Sequence, residues 1–295
     1  MMEYSFPRYL LSKQSVDDRA LNKDVFLALK NKLPPEPIRI IEVGAGIGTM
    51  LRRLIRWGVI RKAEYILVDG MADNVEYASE WIPAWAGESG LGVERSGTHQ
   101  ISLTGVDINI HVRLVAADVF DFIQTNKTPA DVLIAHAFLD LLPMPDSLTK
   151  LLTLTKNLAW LTLNFDGVTT FEPVIDEELD TLIENRYHST MDTRPTGGSS
   201  RSGRQMFTHV QAVHADILAA GSSDWVVYPA DGCYPEDEKY FLEFILHFVE
   251  ESVWTCPQLT AERLQHWLDV RRTQIARGEL TYIAHQLDFL LGMRR

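Results

Sequence analysis

Apolar residues recur along this chain with two periods that alternate, one of about 3.6 residues and one of short continuous runs. Leu21, Val25, Phe26, Leu29 and Leu33 share one helical face before Pro34, Pro35 and Pro37 end the pattern, which predicts an N-terminal helix and a stiff linker. Residues 38–43 form a β-branched apolar run closed by glycines, and residues 49–57 carry Leu51, Leu54 and Ile55 at helical spacing up to Gly58. A strand, a glycine-rich turn and a helix follow from this.

The alternation continues with strands over 65–68, 112–116 and 132–135 and a helix over 74–85. A small hairpin is expected within 99–109, before the third of the main strands. Residues 145–156 read as a helix, 158–165 as a buried strand and 176–187 as a helix whose acidic first turn complements its dipole. The segment 193–203, rich in Gly, Ser and Arg, has no period and reads as a loop; 204–219 reads as a helix and 225–228 as a strand. Tyr240, Phe241, Phe244, Ile245 and Phe248 mark one late helix, Leu264, Trp267, Leu268 and Ile275 another, and the apolar run 280–289 a last strand. Strands separated by helices predict an α/β domain with a parallel sheet.

Composition narrows the class. The chain has 295 residues, 46% of them hydrophobic, and a formal net charge of −12, so it can bury a full core and offers no broad basic face to nucleic acid. Arg52, Arg53, Arg56, Arg61 and Lys62 are clustered, and read as the positive end of a solvated helix. Two cysteines, Cys233 and Cys256, and nine scattered histidines support neither a disulfide framework nor a metal site. No signal-peptide pattern and no apolar run long enough to span a bilayer are present, so a cytoplasmic setting without membrane partners is expected.

The sharpest chemical signal is Glu42-Val43-Gly44-Ala45-Gly46-Ile47-Gly48, between a strand and a helix. Missing side chains let the backbone approach a ligand, and the helix start offers free N–H groups. A dinucleotide fingerprint requires glycine where Thr49 stands, and the carboxylate of Glu42 suits an ammonium group better than a pyrophosphate. Here the chain resembles the class I, Rossmann-like S-adenosylmethionine-dependent methyltransferases, whose first motif is an acid followed by GxGxG. The resemblance implies a three-layer sandwich with a seven-stranded, mostly parallel sheet. On that frame residues 1–37 are an N-terminal cap, 38–230 the cofactor-binding core, 231–278 a two-helix insertion and 279–295 the last strand, all within one domain.

The resemblance also assigns roles. It places S-adenosylmethionine against Glu42, Gly44, Ala45 and Gly46; its ribose against Asp69 with Gly70 and Met71; and its adenine amino group against Asp118 and Val119. His136 ends the fourth strand facing the transferred methyl, and Asp140, four residues on, orients it as a base if the segment is helical. Tyr9 and Arg19, in a segment that folds over the cofactor as a lid in this family, are candidate substrate contacts. Arg201 and Arg204 are expected to hold a carboxylate or phosphate of the acceptor, a small molecule. Two readings stay open beside this one. Asp69 lies where an NAD-dependent oxidoreductase holds a ribose, and a non-catalytic nucleoside-binding module needs the same glycine turn.

Overall fold

The computed structural model describes residues 4–195, 197–254 and 258–294. Three short helices open the chain: α1 (Phe6–Ser12), α2 (Gln14–Ala20) and α3 (Lys23–Lys32). Asn22 caps α3 by accepting from the N–H groups of Asp24 and Val25, at 3.1 and 3.0 Å. There follow β1 (Ile38–Val43), α4 (Thr49–Arg56), β2 (Lys62–Asp69), α5 (Ala72–Glu88), β3 (Gly92–Gly97), β4 (Gln100–Gly105), β5 (Ile108–Ala116), α6 (Val119–Thr125) and β6 (Ala130–His136). The second half comprises α7 (Asp146–Leu152), β7 (Thr155–Leu163), β8 (Thr169–Glu172), α8 (Glu177–Asp192) and α9 (Ser202–His209). It ends with β9 (Ala215–Ser222), β10 (Trp225–Val227), α10 (Glu238–Val253), α11 (Ala261–Arg277), β11 (Thr281–Ala284) and β12 (Leu287–Met293).

The main sheet has nine strands in the order β3-β4-β5-β2-β1-β6-β7-β12-β9. From β5 to β7 the pairs are parallel, and β12 runs antiparallel between β7 and β9. The sheet is thus larger and more mixed than the seven-stranded, mostly parallel one expected: β9 stands where 225–228 was expected to contribute, and beyond β5 lies the hairpin of the exposed β3 and of β4, which buries Ile101 and Leu103, longer than the hairpin read from 99–109.

One expected helix is not there. Of 204–219, only α9 is α-helical, and Ala215–Ser222 is the edge strand β9, bonded along its length to β12. Ala and Leu favour helix in isolation, but pairing and the cover of α3 override that propensity here. Gly221 carries the close fit, since a Cβ there would lie 2.3 Å from Asn22 Nδ2. The strand read at 225–228 belongs instead to a second sheet, β10-β11-β8. Nor is the last strand one run, because Gln286 separates β11, in the small sheet, from β12, in the large one.

Period-two alternation along the central strands divides the core. Ile38 and Ile40 of β1 pack with Leu51 and Leu54 of α4 and Val75 and Ile82 of α5, while Ile41 and Val43 face Phe122 of α6 and Leu148 and Leu151 of α7. A third cluster joins Tyr9 and Val16 to α8, α10, α11 and the small sheet. The lobe over the sheet's C-terminal edge is thus assembled from both ends of the chain and the insertions, and not from 231–278 alone. Among the described residues no helix is long and apolar enough to cross a membrane.

Candidate functional site

β1 delivers Glu42 to the sheet's C-terminal edge, and the chain then turns through Gly44, Gly46 and Gly48 at φ values of 63°, 55° and 85°. A Cβ on Gly44 would lie 2.5 Å from the Phe138 ring, and one on Gly46 would lie 3.0 Å from Leu10. The glycines therefore serve the turn and let the lid helix α1 and the segment after β6 close on it.

Asp69, at the end of β2, holds this turn. Its Oδ2 accepts from the Gly46 N–H at 2.7 Å, and its Oδ1 from the Met71 N–H at 2.9 Å and Asn74 Nδ2 at 3.1 Å. Glu42, near the end of β1, is buried and accepts from the Tyr65 hydroxyl at 2.7 Å. Burial pushes the Glu42 carboxyl up to about 8, against the opposing pull of the Tyr65 bond and the Arg53 charge. Near neutral pH this acid is held mostly protonated until a cation meets it.

These groups border one cavity of about 300 Å³ that runs along the sheet edge from β2 through β1, β6 and β7 to the turns before β10 and β12. Its floor comprises Glu42, Gly44, Ala45, Gly46, Asp69, Gly70, Met71 and His136. Phe6, Leu10, Lys13, Asp17 and Leu21 of the N-terminal segment roof it, and Thr162, Asn164, Trp225 and Gln286 form its far end. The volume is at the lower end of small-molecule sites, and the cavity is partly open to solvent.

His136 stands edge-on to Trp160, ring centroids 4.3 Å apart, with no hydrogen-bond partner at Nε2. Burial, then the charges of Arg53 and Lys13, hold its pKa well below the ordinary imidazole value. Asp140 does not orient it. β6 runs to His136, Ala137 turns at φ 55°, and only Leu139–Leu141 is helical, as one 3-10 turn, so no helix places i and i+4 side by side. Asp140 Oδ1 is buried without a partner, and burial raises that carboxyl.

Several other sequence candidates do not line the cavity. Asp118 is exposed and caps α6 through the Phe120 N–H at 2.8 Å, one residue beyond Ala117, whose N–H bonds Asp69 O; Val119 is core. Tyr9 stacks between Phe241 and Phe244 at 5.8 and 4.6 Å. Arg19 is taken by Glu238, its Nη2 donating at 2.8 Å. Arg204 is taken by Asp166, with Nε–Oδ2 at 3.0 Å, so it is not the free anion site that the sequence suggested. Arg201 is exposed, and Thr196 of the same loop lies outside the described residues. Cys233 is free and exposed, whereas Cys256 also lies outside them. Among the described residues no cluster of metal ligands occurs.

Sequence reasoning missed Asn74, Asp17 and Gln286, whereas Lys13 lies in the N-terminal segment expected to cover the site. Asn74 carried a local signal, an amide in the first turn after the strand-ending Asp69; the others reach the cavity only through tertiary folding.

No family model and no curated protein matches the chain. Solved structures do. A protein of Bacillus halodurans C-125 assigned to the methyltransferases aligns at 9% identity with a TM-score of 0.51, over 93% of this chain and 100% of its own. A mycolic acid cyclopropane synthase solved with S-adenosylhomocysteine aligns at 10% identity and a TM-score of 0.45, over 91% and 82%. A protein of Galdieria sulphuraria assigned as a sarcosine dimethylglycine methyltransferase aligns at 15% and 0.43, over 95% and 86%. The strand order, the acid-and-glycine turn and the first of these likenesses together give the chain the Rossmann-like α/β fold of the class I S-adenosylmethionine-dependent methyltransferases.

Proposed function

We propose that the protein transfers a methyl group from S-adenosylmethionine to a small-molecule acceptor. The observation that carries this reading is the cavity in which a buried acid, a glycine turn and a strand-end acid follow one another across the ends of β1 and β2. The donor set fits the cofactor. Glu42 meets an ammonium group, and Asp69, with Asn74 Oδ1 buried and unpartnered beside it, meets vicinal hydroxyls. Asp118, exposed outside the cavity at the start of α6, is the acid we assign to an adenine amino group. S-adenosylmethionine supplies an activated methyl on a sulfonium centre, open to in-line displacement.

The rest falls to the chain's own residues. The lid residues Phe6, Leu10 and Leu21 exclude water, and His136 presents a neutral imidazole toward the far half of the cavity. Held neutral, it accepts a hydrogen bond from the attacking group and positions it, while its low pKa makes it a weak base. Methyl transfer by positioning is therefore the mechanism that this environment favours. The cavity's small volume also favours a small acceptor over a polymer.

Calorimetric titration with S-adenosylhomocysteine and with NADH tests the reading. Micromolar binding of the first and none of the second is expected. NADH binding alone would favour the oxidoreductase, and S-adenosylhomocysteine binding with no turnover across an acceptor library would favour the non-catalytic module.

A further inference from the structure

We infer that Gln286 selects the acceptor, and that the acceptor is a flat, largely apolar molecule bearing a neutral carbonyl-type oxygen: a ketone, carboxamide or ester. The inference rests on the proposed methyl transfer and concerns the far half of the same cavity.

Gln286 is 1% exposed, lines the cavity, and its Nε2 has no hydrogen-bond partner. Its backbone is fixed at both ends, the N–H donating to Asp224 Oδ1 at 3.1 Å and the carbonyl accepting from the Ser223 N–H at 3.0 Å. A buried, rigidly mounted amide donor without an acceptor is costly, and costs least where a ligand oxygen completes it.

Register gives the reach. His136 pairs with Thr162 and Leu287 with Leu163, so Gln286 lies two strand spacings across and two residues along from His136, about 12 Å between backbones. A molecule of one ring and a short substituent spans the gap between the two side chains, with its attacking atom near His136 and its oxygen at Gln286.

Charge decides which oxygen. Lys13 is the cation of this half, but its Nζ lies 3.5 Å from Asp17 Oδ2, and Asp17 Oδ1 accepts from Trp225 Nε1 at 2.9 Å. A free carboxylate would meet a cation already paired and the carboxylate of Asp17 beside it, so a neutral oxygen is preferred. The Trp225 ring, also lining the cavity, offers the flat apolar contact.

The test uses three probes of like size: acetophenone, its alkene isostere α-methylstyrene, and benzoate. Binding is followed by the side-chain amide NMR signal of Gln286 and by tryptophan fluorescence in the full-length protein, with and without S-adenosylhomocysteine. Acetophenone should bind at least about fivefold tighter than the other two and shift the Gln286 amide, in line with one neutral hydrogen bond. Gln286→Leu, and Gln286→Met as a variant of matching length, should bind acetophenone and α-methylstyrene alike. Equal binding of these two by the wild type, tightest binding of benzoate, a preference that survives in both variants, or no binding of any probe would overturn the inference. The S-adenosylhomocysteine titration alone judges the methyl-transfer reading, so the two failures are told apart.

Discussion

Glu42 shows how one residue couples the fold to the ligand. Its carboxyl titrates at about 8 in the folded protein against 4.5 in the open chain, so the folded state holds the extra proton between those values. The stability it contributes is complete below pH 4.5 and is lost as the pH rises through 8. Glu42→Gln removes the titration, and denaturant unfolding should show the variant gaining on wild type by up to about 1.4 kcal/mol per pH unit between pH 5 and 7.5. Parallel slopes would mean that Glu42 ionises normally. If Glu42 meets the cofactor's ammonium, S-adenosylhomocysteine binding at pH 6.5 should release close to one proton, read from calorimetry in buffers of different ionisation enthalpy. His136 has the opposite bias. With its pKa well below 6.5, no limb of the pH–rate profile near 6.5 should belong to it, and His136→Ala should lower kcat while leaving the shape of the profile unchanged. A limb near 6.5 that disappears in the variant would restore His136 as the titrating base. Glu42, Asp69 and His136 were legible because each ends a strand whose apolar run is local. The expected partnership of His136 with Asp140 failed because it assumed a helix where Ala137 turns the chain.

At the scale of elements, β1, β2, β5, β6 and β7 were legible because each carries an apolar run, whereas the exposed, polar β3 carries none. What sequence misplaced was β9, whose Ala-Asp-Ile-Leu-Ala-Ala-Gly-Ser carries no strong β-formers beyond Ile217. That stretch is a strand only because β12 bonds it and α3 covers it, and neither partner is local. The same gap hid the small sheet, since β8, β10 and β11 are three- and four-residue pieces from distant parts of the chain. Gly221 is where this tertiary fit can be tested. Gly221→Val would drive a branched side chain into Asn22, which both caps α3 and donates from Nδ2 to the Ser222 carbonyl at 2.8 Å. Losing the cap and crowding the contact should cost about 2–3 kcal/mol by denaturant unfolding. Adding Asn22→Ala should then cost little more, because the first change has already displaced that side chain. Full additivity would show that Gly221 and Asn22 act independently.

Over the whole molecule, the N-terminal segment is both roof and latch. It covers the cavity with Phe6, Leu10 and Leu21, and it is tied down at Asp237 and Glu238, at the start of α10. Arg8 Nε donates to Asp237 Oδ2 at 2.9 Å, and the Arg19 guanidinium forms a two-pronged pair with the fully buried Glu238, which also accepts from the Ser15 hydroxyl at 2.6 Å. The exposed Arg8 pair is a minor contribution, whereas removing Glu238 strips two partners from the roof at a carboxylate that is itself buried, although Arg19 is half exposed. If ligand enters beneath this roof, the latch sets how often the way in is open. In stopped-flow fluorescence the rate of S-adenosylhomocysteine association should therefore level off with ligand concentration, at the opening rate of the roof. Glu238→Gln keeps the side chain's shape but removes its charge, so it should raise that plateau and the dissociation rate together, by roughly tenfold for about 1.4 kcal/mol of latch strength. Affinity would then change much less than either rate, because the latch acts on passage and not on the contacts made by Glu42 and Asp69. If association instead rises linearly with concentration in the wild type and the variant alike, the roof opens faster than ligand arrives and the pair with Glu238 is structural only.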